Sequence, residues 1–156
     1  MDAAPADTAG VIAPPPVLYF GTLAATLLLG RRRPARLLPP RVARPVGLGL
    51  LASGFVLGGW AARTMLQAGT PLDPAEPVTA IVTAGPYQYS RNPIYAGMAL
   101  IYLGAAALAN SRWPVIVLPA LLQVVQRGVI EREERYLEQR FGDEYRRYQA
   151  SVRRWL

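Results

Sequence analysis

Four long apolar runs, broken by arginine and proline, constrain this chain more than any other feature. Val11 to Gly30, Val46 to Leu66, Pro93 to Leu108 and Pro114 to Val129 carry two charged residues between them, Arg63 and Arg127. About 20 such residues cross the hydrocarbon core of a bilayer as a helix. In lipid the backbone must satisfy its own hydrogen bonds, so the helix is the form such runs take. The expected fold is all-α: a polytopic membrane helical bundle of about four transmembrane helices, followed by C-terminal amphipathic cytosolic helices. The chain reads as a single domain, with a tail over 1–16 and two N-terminal transmembrane helices with an arginine-rich linker over 17–66. A connecting loop over 67–92 follows, then a helical hairpin and C-terminal helices over 93–156.

Proline and glycine set the expected bounds. Pro14, Pro15 and Pro16 place the first helix start near Val17, and Pro34, Pro39, Pro40 and Pro45 punctuate a linker containing Arg31, Arg32, Arg33, Arg36, Arg41 and Arg44. In the second run Gly54 and Gly58 have the small-xxx-small spacing that lets helices approach closely. Gln67 to Pro77 reads as a connection and Val78 to Thr83, rich in β-branched residues, as a short extended segment. Asn92 is a favoured N-cap and Pro93 suits the first helical position, so a helix is expected from Pro93 to about Leu108. After the turn at Asn110 to Pro114, apolar helix passes into charged amphipathic helix through Arg140, and Gly142 is placed to end it. Tyr145, Tyr148, Val152 and Trp155 then recur at helical spacing as an apolar stripe, suited to packing on the hairpin or entering the lipid interface.

Composition removes several chemistries. All 17 basic residues are arginine, the net charge is +7, and histidine and cysteine are absent. There is thus no thiolate nucleophile, no Ser-His or Cys-His pair, no soft-ligand zinc cage and no disulfide. The arginines flank apolar runs, which directs them to anionic lipid headgroups rather than nucleic acid. Met1 to Gly10 carries Asp2 and Asp7 and no arginine, unlike the start of a secretory signal peptide, so the first run is expected to be retained.

Charge set against membrane-grade sequence is costly and marks a candidate site. Glu131, Glu133, Glu134 and Glu138 fall within eight residues. For Glu131 and Glu138 the expectation is a solvated face neutralised by Arg132, Arg135 and Arg140. Glu133 and Glu134 fall where the hairpin returns Arg91 and Tyr95, and either carboxylate could hold ligand hydroxyl or ammonium groups. Arg91 precedes a helix N-terminus, which the macrodipole disfavours for a cation, so it either faces an anion or snorkels to the headgroups. Tyr87, Tyr89 and Tyr95 read most simply as interfacial aromatics.

Together Gly85-Pro86-Tyr87, Arg91-Asn92-Pro93-x-Tyr95-x-Gly97, Glu131-x-Glu133-Glu134, Phe141-Gly142-x-x-Tyr145-x-x-Tyr148 and Val152 resemble the isoprenylcysteine carboxyl methyltransferases and related phospholipid methyltransferases. The likeness covers nearly half the chain. It implies a small multi-pass membrane enzyme, with its active site near the cytosolic face, that uses S-adenosylmethionine to methylate a lipophilic or prenylated substrate, foremost by carboxyl O-methylation. Arg91 and Glu134 are then the catalytic candidates. Tyr87, Arg91, Asn92, Pro93, Tyr95, Gly97, Glu133, Glu134 and Tyr145 are the cofactor-binding candidates, with no metal. Phe141, Gly142 and Tyr148 join the segment that closes over the pocket. Histidine commonly stands in the isoprenylcysteine enzymes where this chain has Asn92, which bears on the acceptor more than on the cofactor.

The competing readings are phospholipid amine N-methylation, a non-enzymatic membrane scaffold bound to lipids, and a membrane reductase using a nicotinamide cofactor. With four spans, the arginine linker and the arginine-rich C-terminus fall on opposite sides. The positive-inside rule cannot satisfy both.

Overall fold

The computed structural model describes residues 9–73 and 76–155, and among these the regular structure is entirely helical. Asp2 and Asp7 of the tail lie outside the described residues, as do Pro74 and Ala75 of the connection. The helices are α1 (Pro15–Arg32), α2 (Pro40–Gln67), α3 (Pro93–Leu108), α4 (Trp113–Val125), α5 (Glu131–Phe141) and α6 (Asp143–Ser151). A 3-10 turn covers Gly85–Gln88, and a π-helical turn, Gln126–Ile130, joins α4 to α5 without a break.

Proline starts most of the apolar helices. Pro15, Pro40, Pro93 and Pro114 stand in the first or second helical position, where a missing N–H costs nothing and φ is already helical. This is why α1 begins at Pro15 rather than near Val17. The segment 78–83 forms no strand; Thr70 holds it instead, its Oγ1 receiving Ala80 N at 3.2 Å and lying 3.0 Å from Thr79 Oγ1.

Two helices are long and apolar enough to cross a bilayer, α2 and the continuous Trp113–Phe141, each with mean hydropathy 1.5. The other two apolar runs are cut shorter. α1 has 18 residues and ends in Arg31 and Arg32, and the 16 residues of α3 reach about 24 Å. Only 17% of the apolar window of α2 is buried, with Phe55, Val56, Trp60 and Leu66 turned outward. So large a bare apolar surface is expected against lipid rather than water.

The α2–α3 pair forms the closest packing in the bundle, along a seam of glycines. A Cβ on Gly97 would stand 2.9 Å from Gly58 N, one on Gly54 would stand 2.7 Å from Gly97 O, and one on Gly104 would stand 2.8 Å from Leu51 N. The backbones touch because these side chains are absent. Gly58 differs from the expected pairing: its backbone receives Gly97, while its own Cβ direction is open. α1 packs across α3 and α4, where Tyr19 meets Tyr102 edge to face at 6.4 Å.

At one end of the bundle the arginine linker lies against the α3–α4 turn. At the other end meet the Gly85–Pro93 segment, the π turn, α5, α6 and the incoming residues 10–14. Ile12 N donates to Gly128 O at 3.2 Å there, and the Ile12 side chain fills the space over Gly128. Gly142, at φ 54°, ends α5 and turns the chain into α6. The helix stops at Ser151, so Val152 and Trp155 leave the helical form of the stripe but keep its packing, Val152 with Tyr145 and Tyr148 and Trp155 against the core of the α3–α4 hairpin. They belong to an extended strap, residues 152–155, that runs back across the start of α3.

Candidate functional site

A cavity of about 780 Å³ opens at this second end and runs between the helices. Its polar wall carries Arg91, Asn92, Tyr95, Glu133, Tyr145 and Tyr148. The remainder is mostly apolar and includes Phe20, Phe55, Met98 and Ile101. That size and lining suit a small molecule with an apolar portion.

Helix geometry brings the polar groups together. The start of α3 directs Tyr95 at α5, where its hydroxyl donates to Glu133 Oε1 at 2.6 Å. This is the hydrogen bond Glu133 receives among the described residues. In α6, Tyr148 donates to the Tyr87 carbonyl at 2.8 Å, fixing the 3-10 turn. Burial pushes the Tyr148 hydroxyl up to about 12, against a smaller downward pull from Arg91. Burial raises Tyr87 and Tyr145 as well, aided by Tyr148 and Glu133 at the first and by Glu134 at the second. All three therefore stay neutral donors near neutral pH.

Glu134 is placed differently from Glu133. It does not line the cavity but lies behind the wall, 3.1 Å from Arg91 Nη2, while Arg154 grips it in bidentate fashion at 3.1 and 2.6 Å. The Arg91 and Glu134 side chains are 11% and 10% exposed. Glu134 therefore holds Arg91 in place, and Arg91 Nε remains buried with no partner among the described residues. A paired, buried guanidinium with one open donor can bind an oxyanion without carrying an uncompensated charge.

Asn92 stands at the N-cap as expected, and its carbonyl accepts from Ala96 N at 3.1 Å. Its side chain, however, does not cap the helix. The amide donates instead to Arg154 O at 3.0 Å, joined there by Ser90 Oγ at 3.2 Å, while Arg91 N donates to Arg153 O at 2.9 Å. Asn92 is buried, and these strap carbonyls are what its amide and its neighbours bond to. Pro93 and Gly97 line the cavity too, though Gly97 also serves the glycine seam.

Of the nine residues singled out from sequence, Tyr87, Arg91, Asn92, Pro93, Tyr95, Gly97, Glu133 and Tyr145 line one cavity, and Glu134 supports it from behind. The expected neutralisation of Glu131 and Glu138 by Arg132, Arg135 and Arg140 is not what forms. Glu131 faces Arg154 at 3.6 Å and Glu138 faces Arg146 at 3.3 Å, since the turn at Gly142 folds α6 and the strap back along α5. Residues missed from sequence are Arg154 and the apolar wall. A C-terminal arginine in a basic stretch carries no local signal, and the wall is composed like any lipid-facing surface.

The family model for phospholipid methyltransferase matches residues 42–144, from α2 through the start of α6. An uncharacterised protein of Haemophilus influenzae is 45% identical over 65 residues, which is 40% of this chain and the whole of that relative. No solved structure matches.

Proposed function

Because the chain belongs to the phospholipid methyltransferase family, we propose that it is a multi-pass membrane enzyme using S-adenosylmethionine to methylate a lipid-like or prenylated acceptor, with carboxyl O-methylation as the leading reaction. The observation that supports this reading is the single cavity joining a polar wall at Arg91, Tyr95 and Glu133 to an apolar reach between α1, α2 and α3. One molecule can put its reacting group at the first and its hydrocarbon in the second.

The residues present fit the cofactor's chemistry. The Glu133 carboxylate can accept from an ammonium or ribose hydroxyl, and Arg91, on the cavity wall with its Nε unpartnered among the described residues, can donate to a carboxylate. S-adenosylmethionine, when bound, supplies an electrophilic methyl group on a sulfonium centre. The chain's part is to hold, align and dry the reactants, which is where most of the barrier reduction arises in a displacement of this kind. Glu134 and Arg154 keep Arg91 oriented; Tyr95 keeps Glu133 turned to the cavity. A carboxylate acceptor needs no base, in keeping with a chain without histidine. The cytosolic placement of this end belongs to the same proposal.

Amine N-methylation is the second reading, favoured by the Glu133 carboxylate, which could take the proton an ammonium must lose. Mass spectrometry of lipids from expressing cells separates the two. Methyl esters that disappear with Arg91→Ala support the first reading, and N-methylated headgroups that disappear with Glu133→Gln support the second. An unchanged lipid and prenyl-carboxylate profile argues against both.

A further inference from the structure

The opposite end of the bundle carries a second, unassigned cavity of about 390 Å³, walled by the end of α1, the arginine linker and the α3–α4 turn. The linker there is held firmly. Asn110, at φ 45°, accepts from Leu37 N and Leu38 N at 3.1 and 2.9 Å and donates to Leu38 O at 3.0 Å. Arg112 N donates to Ala35 O at 3.0 Å, and Trp113 Nε1 donates to Arg33 O at 2.7 Å.

Two features of this fixed loop remain unanswered within the protein. Arg31, Arg32, Arg33 and Arg36 form no ion pair among the described residues, and Arg31 and Arg36 line the cavity. Ser111, also on the wall, is 8% exposed, and its Oγ is buried with no hydrogen-bond partner. That oxygen stands over Gly30, where a Cβ would come within 2.8 Å of it. A buried polar group without a partner is uncommon enough to require a reason. Unpaired guanidiniums beside an unanswered hydroxyl are the donor set of an oxyanion, and phosphate is the oxyanion met at the edge of a bilayer.

We propose that Arg31, Arg36 and Ser111 form a binding site for a phosphate group, separate from the cavity at the other end of the bundle. The source is either the headgroup of an anionic phospholipid or free phosphate. At the membrane edge it anchors the α1–α2 linker against the α3–α4 turn, and it is independent of the reaction proposed above.

Native mass spectrometry of the full chain in detergent tests this, with phosphatidylglycerol, phosphatidylcholine and inorganic phosphate offered in separate arms. Wild-type protein is expected to retain phosphatidylglycerol or inorganic phosphate, and whichever arm shows retention identifies the source. Arg31→Gln with Arg36→Gln should lower that retention on the order of tenfold, as loss of charged hydrogen bonds implies. Ser111→Ala should lower it several-fold, and Arg41→Gln with Arg44→Gln, equal in charge but off the cavity wall, should leave it unchanged. The arginine variants change exposed side chains, so folding is not at stake. Equal losses in the two double variants would reduce the effect to general charge attraction and overturn the site. So would retention unaffected by Arg31→Gln with Arg36→Gln, or no preference of wild type for either anion over phosphatidylcholine.

Discussion

Glu134 sits between two guanidiniums, and that position decides what its removal does. Glu134→Ala leaves Arg91 buried and unpaired, and breaking such a pair costs about 3 kcal/mol when both partners are buried. Arg154 is 32% exposed, so its share is smaller. The expected result is a lowered midpoint of unfolding in detergent together with weakened cofactor binding, and Arg154→Gln should give a milder form of both. Glu133→Gln should weaken binding while leaving the unfolding midpoint nearly unchanged, because among the described residues its hydrogen-bond partner is the neutral Tyr95 hydroxyl. Thermal unfolding and calorimetric titration on the same samples distinguish the two glutamates. In the sequence they are neighbours on the same helix, both cofactor-binding candidates, with Glu134 also a catalytic one. Their separation came from a residue 20 positions later, Arg154, which nothing in the local charge pattern around Glu134 pointed to.

At the scale of elements, the α2–α3 seam makes an asymmetric prediction. Gly97→Ala places a methyl against the Gly58 backbone, which cannot move as a flexible side chain could, and should destabilise by about 1–3 kcal/mol. Gly58→Ala points into open space and should leave the unfolding midpoint in place. Helix boundaries written in local chemistry were legible: α3 runs from Pro93 to Leu108, and Gly142 ends α5. The π turn at Gln126–Ile130 was not. At its centre Ile12 packs over Gly128, a contact between segments more than a hundred residues apart that local sequence cannot signal. The extended form of the strap has a related cause. Tyr145, Tyr148, Val152 and Trp155 keep helical spacing, but the open donors of Ser90, Arg91 and Asn92 draw the backbone of 153–154 away from the helix.

The whole molecule has two differently equipped ends. One gathers the side chains of Arg91, Tyr95 and Glu133 around a large cavity; the other fixes an arginine-rich linker around a small one. Four apolar runs with basic breaks already imply opposed ends, but not the length of each helix: α2 starts back at Pro40 and takes in Arg41, Arg44 and Pro45 of the expected linker, whereas α3 ends at Leu108 after 16 residues. If the proposed reaction holds, the large cavity is where a methyl donor and a lipid-like acceptor meet. The direct measurement is transfer of labelled methyl from S-adenosylmethionine into a lipid extract by the purified protein in native-lipid nanodiscs. Wild type should give lipid-soluble label, and Glu133→Gln or Arg91→Ala should lose at least tenfold of it, the size expected when charged hydrogen bonds are removed. Folded wild-type protein that transfers no label to any lipid-soluble acceptor, or variants that transfer it undiminished, would contradict the proposed reaction.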